Sequence, residues 1–169
     1  MAKQKKIHLL TGGNVGDRFG KLLAAKRLIH QSIGPVLQAS SLFETEAWGK
    51  VNQAPYLNQA LEVGTLLSPP EVLAEIFKME KALGRLRRIK WEARPIDIDI
   101  LFFEDEIVDT PDLKIPHPLL HRRNFVLIPM LQIAPLKVHP LFQKNIEELY
   151  LESQDELEVV MLESEPHES

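Results

Sequence analysis

Two aspartates, Asp97 and Asp99, stand two positions apart in the apolar stretch "PIDIDILFF", which is typical of a β-strand. Residues at i and i+2 of a strand point to the same face, roughly 7 Å apart at Cα. The two carboxylates therefore repel each other unless a cation lies between them. Such oxygen ligands suit Mg²⁺, which binds one or two carboxylates together with substrate phosphates. The spacing indicates a candidate magnesium site, with a solvated strand face as the alternative.

The apolar residues of the same stretch predict which face of the strand is buried. Alternation places one set toward the core, namely Ile96, Ile98, Ile100 and Phe102. The opposite face would carry both aspartates together with Leu101 and Phe103. We expect these residues to point to the helix-free side of the sheet or into a cleft.

The segment just before this strand is strongly basic. Within ten residues it holds one acid, Glu92, and five bases, namely Arg85, Arg87, Arg88, Lys90 and Arg94. Arginine guanidinium groups match phosphate oxygens in bidentate geometry. A basic run by itself is more often a solvated surface, but this one connects directly to the aspartate strand. The basic segment and the aspartate strand together therefore favour a site that binds a polyphosphate and a metal ion.

Three other features could bind a ligand, and each has an ordinary structural alternative. "TGGNVGD" is similar to a phosphate loop but lacks the spacing of the known motifs, and a tight turn with Asn14 or Asp17 capping a helix explains it equally well. Asn58 has the donors and the acceptor needed to hydrogen-bond to the edge of a heterocycle. The alternative is a buried amide that bonds to the backbone. Phe125 and Trp91 could stack on a flat ring, or simply pack.

Periodicity and chain breakers predict the elements that position these residues. Strands are expected over residues 6–11, 36–44, 56–66 and 95–103, helices over 17–33, 68–83 and 121–133, and a hairpin return over 106–108. Ser68 and Glu71 form a capping box at the start of the second helix. The order β-α-β-β-α-β predicts an α+β, ferredoxin-like sandwich, an antiparallel sheet with helices on one face plus C-terminal additions.

The composition limits the class of protein. The 169 residues contain no cysteine, which excludes disulfides, thiolate metal sites and thiol catalysis. No segment approaches the ~20 apolar residues of a membrane span, and no signal peptide is evident. We expect a soluble, cytoplasmic protein that does not bind membranes.

Charge divides the chain into a body and a tail. Residues 147–169 hold nine acids and no Lys or Arg, so residues 1–146 carry 20 bases against 15 acids. A mildly basic body suits an anionic ligand. We expect residues 1–146 to form a single catalytic domain, with residues 147–169 as an acidic, partly disordered extension of it.

Five strings together resemble the 6-hydroxymethyl-7,8-dihydropterin pyrophosphokinase family. They are "GGNVGD", "SSLFETEAWG", "PYLNQALEV", "WEARPIDIDIL" and "IPHPLLHRRNFVLIPM", in the family's order, and they cover roughly residues 6–140. The resemblance implies transfer of the pyrophosphoryl group of ATP to the hydroxymethyl oxygen of the pterin, with release of AMP, in folate biosynthesis. It also implies two Mg²⁺ ions, two small-molecule substrates, no nucleic-acid partner and a monomer.

The resemblance also assigns roles to residues. It implies that Asp97 and Asp99 bind the metal and act in catalysis with Arg85 and Arg94. The implied ATP site comprises Glu80, Arg87, Arg88, Trp91, Arg94, Ile100, His117 and Arg123, and whether Arg87 or Arg88 takes the inner phosphate stays open. The implied pterin site comprises Thr45, Glu46, Trp48, Tyr56, Asn58 and Phe125.

Two other functions remain as alternatives. A ferredoxin-like module that binds nucleic acid would expose aromatic residues on its central strands, and no such string is present. A metal-dependent phosphohydrolase could use the same acids, but it would turn over ATP without a pterin.

Overall fold

A computed structural model of the chain describes residues 3–46, 54–84 and 95–162. The strands are β1 (Lys5–Gly13), β2 (Val36–Ala39), β3 (Phe43–Thr45), β4 (Tyr56–Thr65), β5 (Asp97–Phe103), β6 (Val108–Asp109), β7 (Lys114–Ile115) and β8 (Val159–Met161). The α-helices are α1 (Arg18–Ser32), α2 (Pro69–Ala82), α3 (Asn124–Ile133) and α4 (Ile146–Glu152), and Leu120–Arg122 forms a 3-10 helix.

The main sheet has the order β5-β1-β4-β3-β8, and β2 also pairs with β4. Its pairs are antiparallel, with β1 lying between β4 and β5. Counting β2 and β3 as one interrupted strand, the chain follows the predicted β-α-β-β-α-β order. The ferredoxin-like α+β prediction is therefore confirmed.

The two helices of the predicted β-α-β-β-α-β unit lie on one face of the sheet, as expected, but the opposite face is covered as well. One core cluster joins the sheet to α1 and α2, and it includes Leu9, Leu22 and Ile76. A second cluster lies on the opposite face, where Leu10 and Phe102 of the sheet pack against α3 and α4. The C-terminal elements supply the apolar surface that covers this second face.

The alternation predicted for β5 fails at its C-terminal end. The register with β1 shifts between His8 and Leu9, so that His8 pairs with Phe102 but Leu9 pairs with Ile100. A residue inserted into one strand reverses the faces of those that follow. Phe103 therefore joins the α1–α2 cluster and Phe102 the α3–α4 cluster, opposite to the prediction, whereas Ile98 and Ile100 face α1 and α2 as expected.

Local capping signals predicted the helix starts well. Ser68 and Glu71 form the capping box of α2, with both reciprocal hydrogen bonds present. Asp17 is the N-cap of α1, and its Oδ1 accepts a hydrogen bond from the Gly20 N–H at 3.0 Å. Asn14 does not cap this helix. Its Nδ2 donates to the Ala54 carbonyl at 3.1 Å instead.

Three predicted elements differ from the structure. The strand over residues 36–44 is divided into β2 and β3, because Ser41 N–H turns away to Gln132 Oε1. Residues 106–108 do not return along β5. Instead, Val108 pairs with Ile115 of β7. The helix over 121–133 starts only at Asn124, because Arg123 has extended dihedral angles of φ −130° and ψ 110°.

The acidic extension contains two elements that pack on the body. Helix α4 begins with a capping box between Asn145 and Glu148 and buries Ile146 and Leu149. Strand β8 then adds to the edge of the sheet beside β3, where Val159 pairs with Thr45. Within the described part of the chain, no helix is long and apolar enough to cross a bilayer.

Candidate active site

Asp97, the first of the candidate metal-binding aspartates, lies in a row of paired residues that crosses three strands. Asp97 of β5 pairs with Gly12 of β1, and Gly12 pairs with Asn58 of β4. Directly paired residues of antiparallel strands present their side chains to the same face. Asp99 belongs to the next row on that face, opposite Leu10. The acids and the candidate pterin-reading amide therefore share the sheet face on which α3 packs.

Gly12 allows the Asn58 side chain to lie across β1. A Cβ at position 12 would come within 2.2 Å of Asn58 Oδ1 and 3.2 Å of the Leu57 carbonyl oxygen. Asn58 is 5% exposed. A residue larger than glycine would thus displace a buried amide between the acids and the candidate pterin region. This close approach explains why the first glycine of the loop carries no side chain.

A buried carboxylate fixes the backbone between the two aspartates. Glu80 of α2 is 2% exposed, and its Oε2 accepts a hydrogen bond from Ile98 N–H at 2.9 Å. Asp97 and Asp99 are half-buried on the opposite face of the strand. Helix α2 therefore holds β5 in place at Ile98, the residue between the two aspartates.

His117 lies within electrostatic reach of Asp97 and Arg123. Burial, reinforced by the Arg123 guanidinium, lowers the pKa of His117 below its ordinary value, and the Asp97 carboxylate opposes this shift. The His117 backbone N–H donates to the Leu101 carbonyl at 3.1 Å, which ties the following turn to β5. His117 Nδ1 accepts from Leu119 N–H at 3.2 Å, which leaves Nε2 as the donor of the neutral ring. A neutral imidazole that donates a hydrogen bond beside an acid and an arginine suits an anionic ligand.

Arg123 and Phe125 flank the first residue of α3. The Arg123 guanidinium lies over the Phe125 ring, with Cζ at 5.5 Å from the ring centroid, and both side chains are half-buried. An arginine stacked on an aromatic ring leaves its N–H edge for a phosphate. The two residues therefore place an anion-binding group and a stacking surface side by side.

Two further candidate pterin residues pair across β3 and β4. Tyr56 is half-buried and lies opposite Thr45, which is 3% exposed. The Thr45 hydroxyl oxygen is buried and has no hydrogen-bond partner among the described residues. A buried polar atom of this kind costs free energy unless a ligand or water satisfies it. Glu46, the next residue, is exposed.

An ion pair that the sequence did not reveal supports the same region. Arg18 Nη1 contacts Glu44 Oε2 at 2.7 Å and also donates to the Pro55 carbonyl at 3.0 Å. Together with the Asn14–Ala54 hydrogen bond, it fixes the residues that lead into β4. No local sequence signal identifies these contacts, because each joins residues far apart in the chain.

Several predicted site residues cannot be placed by this geometry. Arg85, Arg87, Arg88, Trp91 and Arg94 lie outside the described residues, and so does Trp48. The Ile100 side chain is 5% exposed and belongs to the core shared with α1 and α2. Only its backbone atoms remain for an ATP contact.

The residues present fit a magnesium site that is completed by substrate. Asp97 and Asp99 provide hard oxygen ligands on one face of one strand. Among the residues described by the structure, no group of three or more His, Asp or Glu side chains could hold a metal by itself. Mg²⁺ is characteristically bound in this way, by one or two carboxylates with phosphate oxygens and water.

Fold and site together define an α+β sandwich with an acid pair beside arginine, imidazole and aromatic groups, an arrangement suited to an anionic substrate with a flat ring. A family model described as "7,8-dihydro-6-hydroxymethylpterin-pyrophosphokinase (HPPK)" matches residues 8–135. This chain belongs to that family. Its members use ATP as co-substrate and require magnesium.

Curated relatives from two bacteria agree with this family. The 2-amino-4-hydroxy-6-hydroxymethyldihydropteridine pyrophosphokinase of Aquifex aeolicus is 42% identical over 142 residues, covering 84% of this chain and 88% of the relative. The enzyme of the same name from Bacillus subtilis is 40% identical over 128 residues, covering 75% of this chain and 77% of the relative.

Solved structures confirm the fold. A Plasmodium falciparum HPPK-DHPS structure, described as wild type with pterin and p-hydroxybenzoate, matches with a TM-score of 0.71 at 18% identity. The match covers 89% of this chain and 43% of that one, so this chain spans less than half of the longer protein.

Proposed function

We propose that the face of the sheet shared by Asp97, Asn58 and α3 is the active site of a pyrophosphokinase. The chain transfers the pyrophosphoryl group of ATP to the hydroxymethyl group of 6-hydroxymethyl-7,8-dihydropterin, giving the pterin diphosphate and AMP, in folate biosynthesis. The observation that carries the assignment is the row Asp97–Gly12–Asn58, in which the Cα atoms of the acid and of the buried asparagine lie two strands, or about 10 Å, apart.

At the acid end of the row, we propose that Asp97 and Asp99 hold two Mg²⁺ ions. When bound, these ions neutralise phosphate charge and favour the alkoxide form of the attacking hydroxyl. His117 and Arg123 would contact the triphosphate, with Arg85, Arg94 and either Arg87 or Arg88 supplied by the basic segment. Pyrophosphoryl transfer needs positioning and charge neutralisation more than covalent catalysis, which this set of groups provides.

At the amide end of the row, we propose that the pterin stacks between Tyr56 and Phe125. Asn58 would hydrogen-bond to its edge, and the unpartnered Thr45 hydroxyl would gain a partner there. Glu46 and Trp48 would complete the wall. For ATP, we propose contacts to Trp91 and to the backbone of Ile100, with Glu80 supporting the site by holding β5 in place.

We further propose that the enzyme is a cytoplasmic monomer whose residues 1–146 form the catalytic domain. Light scattering of the purified chain measures its mass against the 19.3 kDa of one copy. A mass of two copies at assay concentration would contradict the monomer.

Identification of the nucleotide product tests the proposed function. With ATP, Mg²⁺ and 6-hydroxymethyl-7,8-dihydropterin, AMP should form in step with the pterin diphosphate, and omission of the pterin should abolish AMP formation. ADP or phosphate release without pterin would favour the phosphohydrolase. A Phe125→Ala variant should raise the pterin KM by about fivefold or more, since loss of a ring stack costs about 1–3 kcal/mol. Pterin binding unchanged in Phe125→Ala would contradict the proposed site.

A further inference from the structure

The start of helix α3 is capped by a residue from the acidic extension. Arg123, the N-cap of α3, makes no side-chain capping hydrogen bond. Asp155 instead approaches from the C-terminal segment, and its Oδ2 accepts a hydrogen bond from Asn124 N–H at 2.8 Å. Its backbone carbonyl accepts a second one from Asn124 Nδ2 at 3.2 Å. A carboxylate at this end of a helix is also favoured by the helix dipole.

Asp155 is itself held in place. Its second carboxylate oxygen, Oδ1, accepts from Leu157 N–H at 3.0 Å, and its own N–H donates to Ser153 Oγ at 3.3 Å. Along this segment Ser153, Asp155 and Leu157 are half-buried, whereas Gln154 and Glu156 are exposed. The capping carboxylate therefore belongs to the inward-facing side of an ordered turn.

The same segment joins the two elements that carry the proposed pterin site. Two residues after Leu157, the chain enters β8, where Val159 pairs with Thr45. Asp155 and Glu46 line one open groove of about 1080 Å³. The extension thus contacts α3 at Asn124 and β3 at Thr45.

We propose that Asp155 is a positioning residue that fixes the start of α3, and with it Arg123 and Phe125, for pterin binding. The inference rests on the proposed function, because it requires Phe125 to contact the pterin. Asn124 lies directly between Arg123 and Phe125, so loss of its N–H partner allows the first turn of α3 to fray. Fraying moves the Phe125 ring away from its proposed place against the pterin, which weakens pterin binding.

Steady-state kinetics of matched variants test this role. Asp155→Ala should raise the pterin KM about five- to tenfold, the usual scale of a lost cap, with kcat at saturating pterin changed less than about twofold. Asp155→Asn keeps one oxygen acceptor in place of the two that bind Asn124 N–H and Leu157 N–H, so its pterin KM should lie between those of Asp155→Ala and the original protein. Glu156→Ala removes the same charge from the exposed neighbour and should leave the KM unchanged.

Two results would overturn the role of Asp155. One is a pterin KM of Asp155→Ala that stays within about twofold of the original even if Tm falls, since a cap worth only stability moves Tm alone. The other is a rise in the pterin KM of Glu156→Ala that equals the rise in Asp155→Ala. If Phe125→Ala weakens pterin binding while Asp155→Ala does not, the positioning role fails and the proposed function stands. If neither variant weakens it, both fail.

A second pair of variants probes the same hydrogen bond from the other side, should Asp155→Ala not fold. Asn124→Pro removes the N–H that Asp155 accepts, at a helix position that tolerates proline after an extended residue. Asn124→Ala loses the side-chain bond but keeps the N–H. The pterin KM should be higher in Asn124→Pro than in Asn124→Ala, and equal values would contradict the proposal.

Discussion

The carboxylate of Glu80 accepts a hydrogen bond from the backbone N–H of Ile98, with 2.9 Å between Oε2 and N. Ile98 separates Asp97 from Asp99, so this contact fixes the strand at the point that sets the spacing of the two acids. A fully buried residue of helix α2 thereby supports a site on the opposite face of the sheet.

Removal of this support should reduce both stability and turnover. Glu80→Ala leaves the Ile98 N–H buried without its acceptor, which should lower the free energy of unfolding by about 1–3 kcal/mol. It should also lower kcat, because the acids lose their fixed spacing. Urea denaturation and AMP release measure the two effects.

Two variants serve as controls for Glu80→Ala. Glu80→Gln keeps an oxygen acceptor for Ile98 and should retain more of both stability and turnover. Among the described residues, the ion pair that Glu75→Ala breaks is the surface pair with Lys78 on the same helix, which is worth about 0–1 kcal/mol. Equal losses in Glu80→Ala and Glu75→Ala would show that the Ile98 contact has no special role.

Gly12→Ala should weaken pterin binding by displacing Asn58. The added Cβ would lie 2.2 Å from Asn58 Oδ1, so the amide must rotate away from its place in the row. Loss of one or two hydrogen bonds to the pterin edge should raise its KM about five- to fiftyfold, with a smaller effect on the ATP KM.

A double-mutant cycle tests the cause of this effect. Asn58→Ala alone should weaken pterin binding in the same way. Adding Gly12→Ala to it should then cost little more, because the clashing oxygen is gone. Fully additive effects would mean that Gly12 acts through the Leu57 carbonyl or the backbone, and not through Asn58.

A buried histidine should make stability depend on pH in the acid range. His139 is 2% exposed, and its Nδ1 accepts hydrogen bonds from Leu141 N–H and Phe142 N–H. Burial, reinforced by His121, lowers the pKa of His139 from 6.5 to about 4. The unfolded chain therefore binds the proton first as pH falls, so His139 contributes stability above pH 6.5 that is lost progressively toward pH 4.

His139→Asn isolates this contribution. The amide oxygen of asparagine can accept the same N–H bonds but does not titrate. The unfolding free energy of the variant, measured by urea denaturation at several pH values, should fall less steeply between pH 6.5 and 4 than that of the original protein. Identical slopes would contradict the assignment of this proton to His139.

Local patterns in the sequence predicted most of the elements and the common strand face of the two acids. Ser68–Glu71 and Asp17 are short-range caps, and the D-x-D spacing in an apolar strand needs only the period of two. The exchange of faces between Phe102 and Phe103 was not predictable, because the irregularity arises from pairing with β1.

The remaining site contacts join distant parts of the chain. The approach of Asn58 to Gly12, the Arg18–Glu44 ion pair and the capping of α3 by Asp155 each depend on how elements pack. In the sequence, Asp155 is one acid among nine in an acidic segment, and nothing in its immediate neighbours distinguishes it from Glu156. Periodicity cannot reveal such pairs, because it reports which face a residue occupies and not which residue it meets.

The metal-binding role of the acid pair is tested most directly by AMP formation across a Mg²⁺ titration. Asp97→Asn and Asp99→Asn should each lower kcat/KM by at least about a hundredfold and shift the Mg²⁺ requirement upward, while circular dichroism shows an intact fold. Asp112→Asn, in an exposed turn, serves as the control and should behave like the original protein. If either site variant kept kcat/KM within about threefold of the original at limiting Mg²⁺, the acid pair would not be the metal site.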